Sequence, residues 1–292
     1  QIMTDRKTRE RLDEELRAAL TGRVWFSDTE NQNDPFDTHP SFSESKRIEI
    51  KHFLEAYQKE CGNYVGLSGN DLRTDPRSEN VVPSKIRKTL NDPKFFRDSI
   101  HKIVSEFRKD QKICCFTDTP LSNLMWSYYS ASHSSFCYEF KRSDDADEAA
   151  KSMVADVRYL SDRPSLNTVE VARWIANRNR GQEFQSSVLR VSEKERERVG
   201  NALVLTKPKE WSHEREWRSI QPPGEERGYY SIKPYQLNAV VFGVSTPVEL
   251  KAFVADALGD RIKYRKIELD KEQYVLKMGT EEASGECPIF CV

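Results

Sequence analysis

The chain has 292 residues, 37% hydrophobic and 32% charged, enough apolar material for a substantial core beneath an unusually polar surface. Forty-six basic residues against forty-seven acidic ones leave a formal charge of -1, which excludes a global field steering the protein to nucleic acid or an anionic membrane. No apolar run approaches the roughly 20 residues of a bilayer span, and the N-terminus reads as a charged helix rather than a leader, so a cytoplasmic protein without membrane partners is expected.

Leu12, Leu16 and Leu20 recur every fourth residue and predict an amphipathic helix over residues 8–20, closed by Gly22. Residues 23–27 read as a strand and 31–40, dense in Asn, Asp and Pro, as a loop. Residues 45–59 and 84–109 are helical in pattern, the second broken at Pro93, so 41–110 reads as a helical insertion into a single domain spanning 1–292. A strand at 113–117, a helix at 121–132 and a strand at 135–140 follow. Residues 144–153 read as helical, 155–160 as a strand and 168–199 as one long charged helix. Strands are expected at 214–220, 229–232, 237–244, 262–269 and 273–277, with a helix at 246–258 and a C-terminal tail at 278–292. Strands joined mostly without helical crossovers give an α+β fold with a mixed or antiparallel sheet.

The six cysteines, Cys61, Cys114, Cys115, Cys137, Cys287 and Cys291, include no C-x-x-C pair, so neither a zinc knuckle nor a dense disulfide framework is expected; Cys114, Cys115 and Cys137 read as buried thiols. Walker, G-x-G-x-x-G, G-x-S-x-G and H-E-x-x-H motifs are all absent.

Three segments carry chemistry. Ser27-Asp28 with Asn33-Asp34-Pro35-Phe36-Asp37 joins a strand end to a loop of side-chain acceptors, which equally suits an Asx turn. On the helix at 121–132, Met125, Tyr128 and Tyr129 share a face, and His133 follows at the turn; aromatic rings beside a polar tip suit either the core or a planar ligand. In the third, Thr206-Lys207 and Trp211 precede Ser212-His213-Glu214-Arg215-Glu216-Trp217-Arg218. With a period of two, Glu214, Glu216 and Arg218 project from one strand face, the carboxylates about 7 Å apart and in need of a cation from Arg218 or Lys207.

Taken together these segments resemble a bacterial family catalogued as domain of unknown function twenty-nine seventy-one. The pattern is N-D-P-F-D at 33–37, C-F-T at 115–117, L-M-W-S-x-Y-x-x-x-H at 124–133, F-C-x-E-F at 136–140 and T-K-x-x-x-W-x-x-E-x-E-W-R at 206–218. The E-x-E element is more distantly similar to that of ADP-ribosyltransferases, including DNA-modifying toxins of the DarT type. That resemblance implies a split sheet of ADP-ribosyltransferase type with helical insertions, and a transferase in a toxin or phage-defence setting. The enzyme would cleave the nicotinamide–ribose bond of NAD and transfer ADP-ribose to a protein or nucleic acid, with an antitoxin or defence component as partner. Glu216 is then the catalytic carboxylate and Glu214 its auxiliary. Ser27, Asn33, Tyr128, Tyr129, His133, Lys207 and Arg218 would hold NAD, and no metal is required. The alternatives are a non-catalytic module that binds a protein or nucleic acid, and a nuclease gathering magnesium through Asp34, Asp37, Glu214 and Glu216.

Overall fold

The structure, a computed structural model, describes residues 5–61, 92–143, 154–180, 184–221, 225–279 and 289–291. In chain order its elements begin with α1 (Arg6–Leu20), β1 (Arg23–Asp28), β2 (Ser41–Ser43), α2 (Arg47–Cys61), α3 (Pro93–Asp110), β3 (Lys112–Thr117), α4 (Asn123–Tyr129) and β4 (Phe136–Arg142). Next come β5 (Ala155–Asp156), β6 (Arg158–Leu160), β7 (Ser165–Asn167), α5 (Thr168–Arg180), α6 (Glu193–Val204) and β8 (Thr206–Pro208). The chain ends with β9 (Glu216–Ile220), β10 (Gly228–Ser231), β11 (Tyr235–Phe242), α7 (Val248–Leu258), β12 (Lys263–Leu269), β13 (Leu276–Met278) and β14 (Ile289–Cys291). The expected helix at 144–153 lies outside the described residues.

Two compact units emerge. The first is Gln1–Asn31, Gln111–Tyr159 and Lys209–Val292; the second is Gln32–Asp110 and Leu160–Pro208. The fold is α+β. In the first unit the sheet runs β10-β1-β3-β14-β4-β11-β12-β13, with β9 on β3 and β5 on β9. All pairings are antiparallel except β11 with β12, the two strands that α7 connects.

The side chain of Asp5 caps α1 by accepting from the Thr8 amide at 2.9 Å. Gly22 then turns the chain at φ 67°, a region costly for any residue with a Cβ. Leu16 and Ala19 of α1 and Leu250, Val254 and Leu258 of α7 pack on one sheet face against Phe26, Phe116, Phe136, Tyr138, Phe140 and Phe242. Each large side chain withdrawn there from water contributes about 1.5–3 kcal/mol.

Alternation along β4 sends Cys137 and Glu139 to the other face, where Trp126, Cys137, Val241, Ile267, Leu276 and Phe290 form a second apolar cluster. Glu139 is fully buried there. It accepts a hydrogen bond from Asn238 Nδ2 and pairs with Arg265 Nη1 at 3.0 Å. The residues from 278 onward, expected as a plain tail, include β14, which enters the sheet between β3 and β4 with Phe290 opposite both Thr117 and Glu139.

The second unit pairs β2 with β7 in parallel and packs α2, α3, α5 and α6, so the segment 41–110 holds a strand as well as helices. Pro93 opens α3, the position where its missing N–H costs nothing, and Asp92 accepts from the Phe95 amide at 3.0 Å; the part of the expected helix before residue 92 lies outside the described residues. The stretch read as one helix at 168–199 is two. Phe184 and Leu189 are buried between them, Asn177 Nδ2 donates to the Leu189 carbonyl, and Ser192 caps α6 by accepting from the Glu195 amide. Burial of those two apolar side chains overrides the helical charge pattern.

Candidate functional site

Ser122 opens α4, its hydroxyl accepting from the Met125 amide. The helix stops at Tyr129, short of the expected 132, because Ala131, Ser132 and His133 all adopt left-handed backbone with φ of 48°, 55° and 67°. The amides of Ser134 and Ser135 return to the Ser130 carbonyl at 3.0 and 3.1 Å. The His133 carbonyl accepts from Ser245 N and lies so near Gly243 that a Cβ there would stand 2.3 Å from it. His133 Nε2 is 3.2 Å from Ser127 Oγ, and its ring stacks on Trp126. Trp126 is buried and donates from Nε1 to the Pro120 carbonyl at 2.6 Å. His133 thus closes the α4–β4 turn.

The carboxylate segment departs from the expected single strand. Residues Lys209–Glu214 form a 3-10 turn, Arg215 is left-handed at φ 48°, and β9 starts only at Glu216. Arg215 is tied down by Asp118, with Nε 2.7 Å from Oδ1 and Nη2 2.8 Å from Oδ2. The kink removes Glu214 from the face shared by Glu216 and Arg218. Glu214 instead turns to α4 and accepts a hydrogen bond from the Tyr129 hydroxyl at 2.6 Å. Beside it the His213 ring sits between Tyr128 and Trp211, with centroids 6.5 and 5.9 Å away. His213 Nδ1 donates to the Glu210 carbonyl at 3.1 Å, because a carbonyl can only accept.

Glu216 and Arg218 are both buried and form a two-point pair, Nε to Oε1 at 2.7 Å and Nη2 to Oε2 at 3.1 Å. The Glu216 amide donates to the Tyr159 hydroxyl at 2.7 Å and its carbonyl accepts from Val157 N. Trp217 points to the opposite face and is only partly buried: its outer neighbour is the two-residue β5, where Asp156 stands opposite it. Lateral pairing sets Glu139, Phe290, Thr117 and Glu216 in one row across β4, β14, β3 and β9, so both buried ion pairs belong to the same sheet face.

Ser27 pairs with Ile113 at the far end of β3 and shares the face of Arg218, but stands four residues, about 13 Å along the strand, from the Thr117–Glu216 row. Asn33 and Lys207 belong to the second unit, where Lys207 Nζ is 3.8 Å from Asp37 Oδ2 with both side chains buried. The Asp34 carboxylate accepts from the Phe36 amide at 2.9 Å, the Asx turn expected of that loop. The four acids considered for magnesium are divided two and two between the units. Among the described residues no group of three or more His, Cys, Asp or Glu is gathered for a metal, and no helix is long and apolar enough to cross a membrane.

Glu139, Asn238, Arg265, Asp118 and Tyr159 were not among the expected site residues. Glu139 alone left a sequence signal, a carboxylate inside the apolar run Phe136-Cys137-Tyr138-Glu139-Phe140.

Residues 125–219 match the family model described as Protein of unknown function (DUF2971). The match spans about a third of the chain, and over that segment the chain is similar to this family. No curated protein and no solved structure matches it. The DUF2971 segment holds Tyr129, His133, Glu139, Glu214, Glu216 and Arg218, and it includes the residues of the second unit from Leu160 to Pro208.

Proposed function

We propose that the first unit binds NAD on the surface formed by Tyr128, His213 and Trp211 and breaks its nicotinamide–ribose bond, transferring ADP-ribose to a macromolecular acceptor. The observation that carries this reading is the 2.6 Å hydrogen bond from Tyr129 to Glu214, which fixes a buried carboxylate beside exposed aromatic rings. As the C–N bond breaks, its electron pair leaves with nicotinamide and positive charge develops on the ribose. A carboxylate already held in place stabilises that transition state more than the ground state. The acceptor then attacks the anomeric carbon and releases a proton, for which Glu214 is the base. This assigns the ribose-facing charge to Glu214 rather than to Glu216, both of whose carboxylate oxygens are engaged by Arg218. Glu216 is then a positioning residue that holds the start of β9.

The test is nicotinamide release from NAD, with a cell extract supplying acceptors, normalised to folded protein. Glu214→Gln keeps the shape and removes the charge, so turnover should fall by about 10² or more, the scale for one preorganised electrostatic group. Tyr129→Phe should fall less, having lost only the anchor. Equal turnover by Glu214→Gln and wild type would sink this reading.

A second reading, a recognition surface without chemistry, is favoured by the exposure of Tyr128 (61%), Leu121 (41%) and Leu124 (43%) on and beside α4. It predicts no nicotinamide release by the wild type under any of these conditions.

A further inference from the structure

The thiols of Cys114 on β3 and Cys291 on β14 lie 3.8 Å apart, although 177 positions separate them in sequence. β14 runs antiparallel to β3 with Phe290 opposite Thr117, so Cys291 and Cys114 are diagonal neighbours on the face covered by α1 and α7. Their surroundings differ. Cys114 is buried, whereas Cys291 retains partial access to solvent. Alternation sends Cys115 and Cys137 to the opposite face, and Cys61 belongs to the second unit, so among the described cysteines only these two are matched in this way.

We propose that Cys114 and Cys291 form a modification site, oxidised by a hydroperoxide to a disulfide that fastens the C-terminal strand into the centre of the sheet. The more accessible Cys291, as thiolate, attacks the terminal peroxide oxygen. The O–O bond breaks, and Cys291 sulfenic acid and an alcohol result. The Cys114 sulfur then attacks the Cys291 sulfur, the S–S bond forms, and hydroxide leaves as water with the Cys114 proton. Two thiols and one hydroperoxide thus give one disulfide, one alcohol and one water. The order follows from the environment: contact with the Cys291 thiol, and then burial, push the Cys114 thiol well up, so Cys114 is the slower nucleophile and the resolving partner. The sulfurs must close from 3.8 Å to about 2.0 Å, and because diagonal neighbours stand about 7–8 Å apart the closure takes a shift of the short strand β14 together with side-chain rotation.

The experiment treats the full chain with hydrogen peroxide, blocks remaining thiols with N-ethylmaleimide, and maps cross-linked peptides by mass spectrometry with and without dithiothreitol. A Cys114–Cys291 peptide that disappears on reduction is expected, together with a higher melting temperature and slower trimming of the C-terminus by carboxypeptidase. Cys114→Ala should instead accumulate Cys291 sulfenic acid that a dimedone probe captures, and Cys291→Ser should abolish both signals. Folding of each variant is checked by circular dichroism, and the wild-type peptide map decides the pairing whether or not a variant folds. A folded wild type whose only disulfide joins another pair, Cys287 included, or which carries none after its exposed thiols are consumed, overturns the proposal.

Discussion

Replacing Arg218 by Met keeps most of the volume of its side chain and removes the charge, leaving the Glu216 carboxylate in a site where only 5% of it meets solvent. The interactions lost with Glu216 are two charge-assisted hydrogen bonds at 2.7 and 3.1 Å, each worth about 1.5–3 kcal/mol when its partner stays charged. Apolar packing of the new side chain offsets part of that loss, so a net cost of about 3–5 kcal/mol is expected, the scale for breaking a buried pair from one side. The melting temperature should drop by roughly 10 °C. The double variant Glu216→Leu/Arg218→Met is the diagnostic partner, because exchanging both charges for apolar groups of similar size is often neutral or stabilising. Urea unfolding followed by tryptophan fluorescence on wild type, both single variants and the double variant gives the coupling directly. A single Arg218→Met variant within about 0.5 kcal/mol of wild type would show that the pair is energetically like an exposed one and not a buried anchor. The same physics makes Glu216→Gln a poor probe of catalytic charge: it removes the carboxylate charge that faces the buried guanidinium, so its stability must be measured before its turnover is interpreted.

Gly243→Ala would set a Cβ 2.3 Å from a backbone oxygen of the α4–β4 turn, an atom that no side-chain rotation can move, and should cost about 3 kcal/mol or more. An unchanged thermal melt would show that the His133 carbonyl does not approach Gly243 that closely. In the second unit, His39 accepts from Arg108 Nη1 at 2.7 Å and donates from Nδ1 to the Asp37 carbonyl, so both ring nitrogens are committed to the neutral form. Burial, and next the charges of Arg108 and Arg163, lower its pKa, while the bond to Asp37 opposes them. The unfolded chain therefore binds the proton more readily, and the contribution of His39 is present above the ordinary value of 6.5 and lost as pH falls below it. His39→Gln should flatten the decline of stability below that pH; parallel pH profiles for variant and wild type would show that His39 is not the group responsible.

Local pattern was enough for elements whose own residues dictate them. The leucines of α1 repeat every four positions, and β4 alternates Phe136, Tyr138 and Phe140 with Cys137 and Glu139. It was not enough where one residue's backbone or a distant partner decides. Left-handed Arg215 broke the period of two that would have aligned Glu214 with Glu216, and nothing in an arginine announces a positive φ. β14 has only three residues, and the partners that make it a strand lie in β3 and β4. The site shows the same division. The motifs named Tyr129, Glu214, Glu216 and Arg218 as chemistry-bearing, and the period of two already set Arg218 beside Glu216, but the pairings of Tyr129 with Glu214 and of Lys207 with Asp37 came from the topology.

The late position of β14 sets an order of events on the ribosome. β3 and β4 leave the exit tunnel long before residues 289–291 exist, and at about 5–20 residues per second the 177 positions between the paired cysteines take roughly 10–35 s to synthesise. Throughout that interval the edges of β3 and β4 that later receive β14 are hydrogen-bonding surfaces open to other nascent chains. A messenger that stalls after β12 would release a polypeptide with a gap in the middle of its sheet, a more adhesive product than one lacking only a peripheral strand.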